Sequence, residues 1–206
     1  EIYAKFKIAG SFHISSILPA LLTGMVCGIP LPVCLLALSD FRLPPGRMTI
    51  IEGIGHSTLL DSSYNASPQT VTEALALLHE FPAKRKIAVL GTMNELGKDT
   101  EQAHRQLAHE FIPWLDMLIT VGDDARFIAD EALKKGFPES KIRSFTTAGD
   151  AAKFLISSKM RPGDVILFKG SQNQVRLERA VKLLMAHPQE AKKLLCRQEL
   201  EWLHKA

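Results

Sequence analysis

The fold is decided by residues 87–122, which read IAVLGTMNELGKDTEQAHRQLAHEFIPWLDMLITVG. The stretch opens with the apolar run 87–91 and closes with a second one at 115–122, and both have the length of a buried strand. Between them, apolar residues recur at helical spacing and predict a helix over 100–111. Strands that are apolar throughout and separated by a helix indicate parallel strands covered on both faces.

The same alternation continues on both sides of this unit. Short apolar runs predict strands at 48–51, 57–60, 141–145 and 164–168. Amphipathic spacing predicts a helix from Pro68, after the N-cap residue Ser67, and further helices at 123–135, 150–158, 175–186 and 190–204. We therefore predict an α/β protein in which residues 46–206 form a doubly wound, mostly parallel sheet.

The last predicted helix carries charges of both signs, which indicate a solvated face that includes Lys192, Lys193 and Arg197. Its apolar residues, expected to pack inward, are Leu194, Leu195, Leu200 and Trp202. A partner contact at 195–198 is the alternative interpretation of this region.

Residues 1–45 differ in character from the rest of the chain. Positions 11–39 contain no Asp, Glu, Lys or Arg, which is typical of a membrane span. The sequence Gly28-Ile29-Pro30-Leu31-Pro32 interrupts the run, because proline removes a backbone donor and restricts the residue before it. We therefore predict a buried helical hairpin and no membrane span, and we expect it to be the end of a unit that began before Glu1.

Composition indicates an ordinary globular protein. The 206 residues are 46% hydrophobic and 23% charged, which excludes an intrinsically disordered chain. The net charge is +3 and the basic residues are spread along the sequence, so nucleic acid is not an expected partner. Cys27, Cys34 and Cys196 form no Cys-x-x-Cys motif and cannot all pair within the chain, which favours a reducing compartment.

Ligands of open α/β sheets gather beyond the carboxyl ends of the strands, where helix N-termini offer free N–H groups to anions. Those positions here are 61–65, 91–97, 122–124 and 169–174. We expect the strand ends near residues 61, 91 and 169 to meet in one crevice. Lys169, Gly170 and Ser171 are suited to an anion there, and the alternative is a solvated lysine, a turn and a helix cap.

Other catalytic and metal-binding motifs do not match this sequence. Five residues separate Gly91 from Gly97, and Asp99 stands where a P-loop requires Ser or Thr. His104 and His109 are five residues apart and therefore lie on different faces of a helix. We predict no metal site within the chain.

Four ordered segments are more specific than any of these motifs. They are Pro45-Gly46-Arg47, DSSYNASP at 61–68, IAVLGTMNELG at 87–97 followed by His104, and Lys169-Gly170-Ser171 followed by Leu177-Glu178. In the same order they resemble the Pro-Gly-Arg, Asp-Asp-Ser-Tyr-Asn-Ala-Asn-Pro, Gly-Asp-Met-x-Glu-Leu-Gly and Lys-Gly-Ser…Met-Glu stretches of the Mur ligases. The resemblance covers nearly the whole chain and is greatest to the dipeptide-adding branch of the family.

The resemblance implies a cytoplasmic, ATP-dependent amide ligase of peptidoglycan precursor synthesis. In such enzymes ATP and Mg²⁺ phosphorylate the carboxylate of a UDP-N-acetylmuramoyl-tripeptide, and the amine of D-alanyl-D-alanine attacks the acyl phosphate. Residues 46–206 are then the Rossmann-like C-terminal domain, and residues 1–45 are the last helices of the central ATPase domain. Because the P-loop of the family lies elsewhere, we expect this chain alone to be inactive, and we expect it to be a monomer.

By position, the resemblance also implies two sets of site residues. The residues expected to contact ATP are Arg47, Asp61, Tyr64, Asn65 and His13. The residues expected to bind the substrates are Lys169, Ser171, Asn94, Glu95 and His104.

Three positions differ from the family pattern. Ser62 stands where the family has its second Asp, Thr92 replaces the Asp of Gly-Asp-Met, and His13 replaces an Asn expected to recognise adenine. A neutral hydroxyl is a poorer acceptor for ribose hydroxyls than a carboxylate. Two alternatives therefore stay open: a non-catalytic nucleotide- or partner-binding module on the same fold, and a relative of the folylpolyglutamate or cyanophycin ligases.

Overall fold

The computed structural model describes residues 2–172 and 174–203 of the 206. The chain divides into two compact units, Glu1–Leu43 and Pro44–Ala206. The boundary predicted from the sequence, between residues 45 and 46, lies two residues further along the chain.

The first unit contains two short helices, in agreement with the pattern of residues 11–39. They are α1 (Ile14–Val26), which follows a 3-10 turn at Ser11–His13, and α2 (Leu31–Ser39). Gly28 lies in the turn between them with φ of +82°, a conformation that favours glycine. Within the described part of the chain, no helix combines the length and the hydropathy that crossing a membrane requires.

The contact between α1 and α2 is close but narrow. A Cβ added to Gly24 would lie 2.6 Å from Sγ of Cys34, the one apolar side chain that is buried among the described residues of this unit. The prediction of a buried hairpin is wrong for this chain, because two helices alone bury only the seam between them. The large apolar side chains left exposed on the hairpin are Ile14, Leu18, Leu22, Met25, Val26, Ile29, Val33 and Leu36.

The second unit alternates strands and helices. Its strands are β1 (Thr49–Gly53), β2 (Ser57–Ser62), β3 (Arg85–Gly91), β4 (Met117–Val121), β5 (Ile142–Phe145) and β6 (Asp164–Lys169). Its helices are α3 (Pro68–Glu80), α4 (Thr100–Gln106), α5 (Arg126–Lys134), α6 (Ala148–Ser157), α7 (Glu178–Leu184), α8 (Ala191–Leu194) and α9 (Leu200–Leu203). Short 3-10 segments lie at Ile54–His56, Gly97–Asp99, Leu107–Glu110, Glu139–Lys141 and Pro188–Glu190.

The six strands form one sheet in the order β1-β2-β6-β3-β4-β5. β1 pairs with β2 in the antiparallel sense, and the other neighbouring strands are parallel. β6, the last strand along the chain, is inserted between β2 and β3. Lys169 at its end is therefore in register with Ser62 of β2 on one side and with Leu90 of β3 on the other. The predicted α/β class with a mostly parallel sheet is confirmed.

Helices cover both faces of the sheet. On one face α6 and α7 pack together over a core that includes Ile87 and Val89 of β3 and Phe168 of β6. On the other face α4 contacts α5, and α3 contacts the 3-10 segment that follows α4. Because side chains alternate along a strand, Ala88 and Leu90 of β3 point towards this second layer. The sheet is doubly wound, as the sequence predicts.

The helix predicted over 190–204 is wrong, and its last residue lies outside the described part of the chain. A 3-10 turn, α8, an irregular segment and α9 take its place. The chain leaves α8 at Leu195, which is extended, and turns at Arg197, whose φ is +55°. Arg197 is buried instead of solvated, and Leu200 is 73% exposed instead of packed inward.

Three other helices are shorter than their sequence patterns predict, among them α5, which spans Arg126–Lys134 instead of 123–135. The helix expected over 100–111 is α-helical only to Gln106 and then continues as a 3-10 segment. The helix expected from Val175 begins at Glu178. Arg176, which has φ of +50°, prevents an earlier start because a left-handed residue cannot be part of an α-helix.

Candidate functional site

The carboxyl ends of β2, β6 and β3 are next to one another at a single edge of the sheet. The chain leaves β2 and β3 for α3 and α4 on one face, and it leaves β6 for α7 on the other face. Adjacent strands whose following loops diverge to opposite faces open a crevice between those loops. The expected meeting of the strand ends near residues 61, 91 and 169 is thus observed.

The ends of β3 and β6 approach so closely that no side chain fits between them. A Cβ added to Gly91 would lie 3.1 Å from Cα of Gly170 and 3.2 Å from Cγ1 of Val175. A Cβ added to Gly170 would lie 3.1 Å from Cα of Gly91. The two glycines therefore allow the loops after β3 and β6 to start in contact with each other.

Ser171 joins the loops that follow all three strands. Its hydroxyl donates to the carbonyl of Ala66 at 3.0 Å and accepts from the amide of Asn94 at 3.0 Å. Its own amide donates to the carbonyl of Thr92 at 2.9 Å. Only 1% of Ser171 is exposed, so its polar atoms are used within the protein.

Lys169 is buried and is directed at the loop after β2. Its Nζ donates to the carbonyl of Asn65 at 2.6 Å, and 5% of the residue is exposed. Burial, together with the positive charge of Arg47, lowers the pKa of Lys169 to about 8. The solvated lysine considered from the sequence is not what the structure contains.

Asp61 is fully buried at the end of β2. Its Oδ1 accepts the amide of Ser63 at 3.1 Å, and its Oδ2 has no hydrogen-bond partner among the described residues. Burial raises the pKa of Asp61 to about 6, and the negative charge of Glu178 contributes in the same direction. The carboxylate shapes the turn into the loop 63–66 and has no surface to offer to a ligand.

Arg47, Tyr64 and Asn65 form the exposed part of the site. The guanidinium carbon of Arg47 lies 4.4 Å from the centre of the Tyr64 ring, a cation–π contact. The amide of Tyr64 donates to the carbonyl of Gly46 at 3.0 Å, which ties the loop after β2 to the residue before Arg47. All three side chains are accessible from solvent.

The loop after β3 is held by His104. Nε2 of His104 accepts the amide of Met93 at 2.9 Å, so its Nδ1 carries the proton that is donated to the carbonyl of Thr100 at 2.7 Å. The pKa of His104 is lowered by burial, in agreement with a neutral ring. In front of it, Asn94 is half-buried and Glu95 is exposed with φ of +66°.

The predicted site residues thus fall into two groups. The residues with exposed or half-exposed side chains are Arg47, Tyr64, Asn65, Asn94 and Glu95. The residues that are buried and bonded to the loops are Asp61, His104, Lys169 and Ser171. The polar atoms of this buried group face the protein, and the direct ligand contact that the resemblance implies for them stays a prediction. His13 is in the first unit, where its ring packs on Phe12 with centroids 4.3 Å apart.

Among the described residues, no group of three or more His, Cys, Asp or Glu side chains is arranged to hold a metal ion. A surface hollow lies elsewhere, along α4 and α5. It is lined by polar side chains, namely Lys98, Glu101, Gln102, Arg105, Gln106, His109 and Glu131. We place the candidate site at the strand ends, because the predicted residues converge there.

Sequence reasoning missed three buried charges beside the loop 63–66. Arg197 donates to the carbonyls of Ser63 and Tyr64, and Glu178 accepts from both Arg176 and Arg197. Of the three, only Glu178 could have been found from the sequence, since it belongs to the segment that follows Lys169-Gly170-Ser171. Arg197 is 134 residues from Ser63 in sequence, and no spacing rule connects such positions.

Comparison with known proteins agrees with this geometry. The family model for the Mur ligase, glutamate ligase domain matches residues 46–172. The UDP-N-acetylmuramoyl-tripeptide–D-alanyl-D-alanine ligase of Bacillus subtilis is 29% identical over 183 residues, which cover 88% of this chain and 39% of that protein. The chain therefore spans about 39% of the length of this curated relative.

Solved structures give the same result. MurF from Acinetobacter baumannii is similar in fold, with a TM-score of 0.75 and 24% identity, covering 87% of this chain and 38% of that one. The MurF ligase from Thermotoga maritima, solved in complex with ADP, has a TM-score of 0.65 and 27% identity, covering 84% of this chain and 37% of that one. Since the matched family segment is more than half of the chain and contains all three strand ends of the crevice, the chain belongs to the Mur ligase family.

Proposed function

We propose that the chain is the C-terminal part of an ATP-dependent amide ligase of peptidoglycan precursor synthesis. The reaction joins D-alanyl-D-alanine to a UDP-N-acetylmuramoyl-tripeptide through an acyl phosphate. In this proposal residues 46–206 are the C-terminal domain and residues 1–45 the last helices of the central ATPase domain. The observation that carries it is Ser171, which bonds the three loops on which the family motifs lie into one crevice.

The exposed group supplies the proposed nucleotide contacts. Arg47 is a permanent cation with an accessible guanidinium, which suits a phosphate oxygen. Tyr64 and Asn65 offer a ring and an amide beside it. Asp61 acts indirectly, because its carboxylate holds the amide of Ser63 and so shapes the loop. The contact of His13 with adenine, which the resemblance implies, stays a prediction.

The proposed dipeptide side of the crevice is the loop after β3. Asn94 and Glu95 have accessible polar groups there, and Glu95 suits the ammonium group of an incoming amine. Lys169, Ser171 and His104 position the loops, since their polar atoms are bonded to backbone groups. Loops fixed in this way would hold the two substrates in line, which lowers the entropic part of the activation barrier.

Mg²⁺ is proposed to be held mainly by the nucleotide and by parts of the ligase outside this chain. The accessible group contains a single carboxylate, Glu95, whereas Mg²⁺ prefers several oxygen ligands. We further propose that the ligase acts in the cytoplasm as a monomer.

Titration of the 206-residue chain with ADP tests the nucleotide role. We expect saturable binding in the millimolar range or tighter, and we expect Arg47→Ala to weaken it about tenfold, the equivalent of one charged hydrogen bond. Arg161→Ala is the matched control, because Arg161 is exposed and is distant in sequence from the loops of the site. Equal binding by the two variants, or none by the unmodified chain, would contradict the proposal.

A phosphate-release assay with ATP, Mg²⁺, the UDP-N-acetylmuramoyl-tripeptide and D-alanyl-D-alanine tests the expected inactivity of the isolated chain. We expect no turnover, because the charges that stabilise phosphoryl transfer are not all present in this chain. Turnover would refute that expectation.

A second candidate function is a non-catalytic nucleotide- or partner-binding module on the same fold. The observation in its favour is that neutral side chains, Ser62 and Thr92, occupy buried positions where the family pattern has carboxylates. Failure of the chain to bind ADP, with an intact fold, would favour the partner-binding form of this candidate. A folylpolyglutamate- or cyanophycin-type ligase has no separate observation in its favour.

A further inference from the structure

Three buried charged residues link the C-terminal segment to the crevice. Arg176, Glu178 and Arg197 each expose 6% or less of their surface. Nε of Arg176 donates to one carboxylate oxygen of Glu178 at 3.3 Å, and Nη1 of Arg197 donates to the other at 3.2 Å. A buried charge is tolerated when it is paired and hydrogen-bonded in this way.

Arg197 uses the rest of its guanidinium on the loop after β2. Nη1 donates to the carbonyl of Ser63 at 3.3 Å, and Nη2 donates to the carbonyl of Tyr64. The backbone of Arg197 is in the left-handed region, with φ of +55°, which a residue other than glycine adopts at an energetic cost. The planar guanidinium donates from two separate nitrogens to the carbonyls of Ser63 and Tyr64 and to Glu178, whereas the donors of lysine all lie on a single nitrogen.

The guanidinium of Arg197 also contacts the aromatic ring of Tyr64, against which Arg47 packs. The guanidinium carbon of Arg197 lies 5.2 Å from the centre of the Tyr64 ring and 5.8 Å from that of Trp202. Arg47 lies 4.4 Å from the same Tyr64 ring. A continuous set of contacts therefore connects Trp202 of α9, through Arg197 and Tyr64, to the exposed guanidinium of Arg47.

Arg197 is one of several charged groups that act on Asp61. Glu178 raises the pKa of the Asp61 carboxyl and Arg197 lowers it, and Asp61 also interacts with the positive charge of Lys169. The hydroxyl of Ser63 and the thiol of Cys196 are its other polar neighbours. Loss of Arg197 would remove a positive charge that favours ionised Asp61 and would therefore raise the pKa of Asp61.

We propose that Arg197, held by Glu178, is a positioning residue of the nucleotide site: it fixes the backbone of Ser63 and Tyr64 so that the Tyr64 ring supports Arg47. That this site binds a nucleotide rests on the proposed function. The effect of Arg197 on the position of the loop does not, because it is measured without nucleotide.

The experiment compares Arg197→Met and Arg197→Lys with Arg85→Met in the 206-residue chain. Arg85 is the matched control, because it forms a two-bond ion pair with Asp164, at 2.9 and 2.5 Å, at the opposite end of the strands. For each variant we would measure amide hydrogen exchange of residues 63–66, the carboxyl titration of Asp61, unfolding by denaturant, and ADP affinity.

We expect Arg197→Met to speed exchange at residues 63–66 beyond its effect on global unfolding, to raise the pKa of Asp61, and to weaken ADP binding about tenfold. Arg197→Lys retains the charge and tests the proposal even if Arg197→Met does not fold. It should keep the Asp61 titration near its original position and recover part of the ADP affinity. Arg85→Met should lower stability and leave all three local measurements unchanged.

The outcomes separate this inference from the proposed function. If the Arg197 variants and Arg85→Met behave alike in loop exchange and ADP affinity, the positioning role is refuted and the nucleotide role is not. If the unmodified chain does not bind ADP but its loop still responds to Arg197, the nucleotide role is refuted and the control of the loop by Arg197 is supported.

Discussion

Asp61 carries its carboxyl group at a buried position, where an ionised group lowers the stability of the fold most. It is fully buried, one oxygen has a single amide partner, and the other oxygen has none among the described residues. The shift of its pKa from 3.8 to about 6 means that ionised Asp61 destabilises the fold by about 3 kcal/mol at neutral pH, at 1.36 kcal/mol per pKa unit.

Asp61→Asn is therefore expected to stabilise the chain at neutral pH, by up to about 3 kcal/mol. Asparagine keeps an oxygen for the amide of Ser63 and resembles the protonated carboxyl. The sign follows from proton binding: between pH 3.8 and about 6 the folded state binds more protons than the unfolded state, so stability falls as pH rises through this window. The advantage of the variant should therefore vanish at the acidic end of the window.

Urea unfolding of both proteins across this pH range measures the effect. Asp130→Asn is the control, because Asp130 is exposed. A variant that is less stable than the unmodified chain at neutral pH would show that the Asp61 carboxylate is a net stabilising group.

The strand ends at this site were predictable, and the exposure of their side chains was not. The sequence placed Lys169 and Ser171 at the carboxyl end of a strand, and the structure has them at and just after the end of β6, because a strand end is visible in sequence. Whether such a side chain turns to solvent or to a neighbouring loop depends on carbonyls more than one hundred residues away, at Asn65 and Ala66. Local patterns contain no information about those partners.

At the scale of elements, the crevice depends on the short distance between the carboxyl ends of β3 and β6. Gly91→Ala is expected to destabilise the chain by about 1–3 kcal/mol, because the new Cβ would meet the backbone of Gly170 at 3.1 Å. Neither strand is free to move away, since β6 also pairs with β2 and β3 also pairs with β4. The variant should also weaken ADP binding, because the loops that Ser171 joins would separate.

Gly149→Ala is the matched control for this substitution. Its Cβ would meet nothing closer than Oγ1 of Thr147 at 3.9 Å, and alanine in α6 is expected to stabilise by up to about 1 kcal/mol. Thermal and denaturant unfolding measure both variants. Equal and small effects at the two positions would show that the ends of β3 and β6 are not as constrained as their spacing indicates.

Elements with a strong periodic pattern were predicted well, and the C-terminal segment was not. The strands of the sheet are runs of buried apolar residues, which the sequence displays directly. Residues 190–203 have helical composition, but Arg197 is buried and bonded to Ser63, Tyr64 and Glu178, and the chain leaves the helical conformation to place it there. Tertiary bonds of this kind override local propensity.

At the scale of the whole molecule, the two units differ in what stabilises them. The sheet and its two helical layers bury apolar side chains from every strand, whereas the described residues of the first unit bury only Cys34. The class of the fold was predictable because strand and helix periods alternate over one long stretch. The exposure of α1 and α2 was not predictable, because hydropathy shows that a helix is apolar but does not show which part of the protein covers it.

This difference predicts that residues 44–206 fold without residues 1–43. The shorter fragment keeps all six strands and the described core, so its melting temperature should lie within a few degrees of that of the whole chain, measured by circular dichroism. A peptide of residues 1–43 should show no cooperative transition, because two short helices with one narrow seam are marginal in water. A fragment of residues 68–206 is the negative control: it lacks β1 and β2, which exposes the edge of β6, and it should not fold. If residues 44–206 fail to fold while the whole chain folds, the sheet requires the helical hairpin for its stability, and the independence of the second unit is refuted.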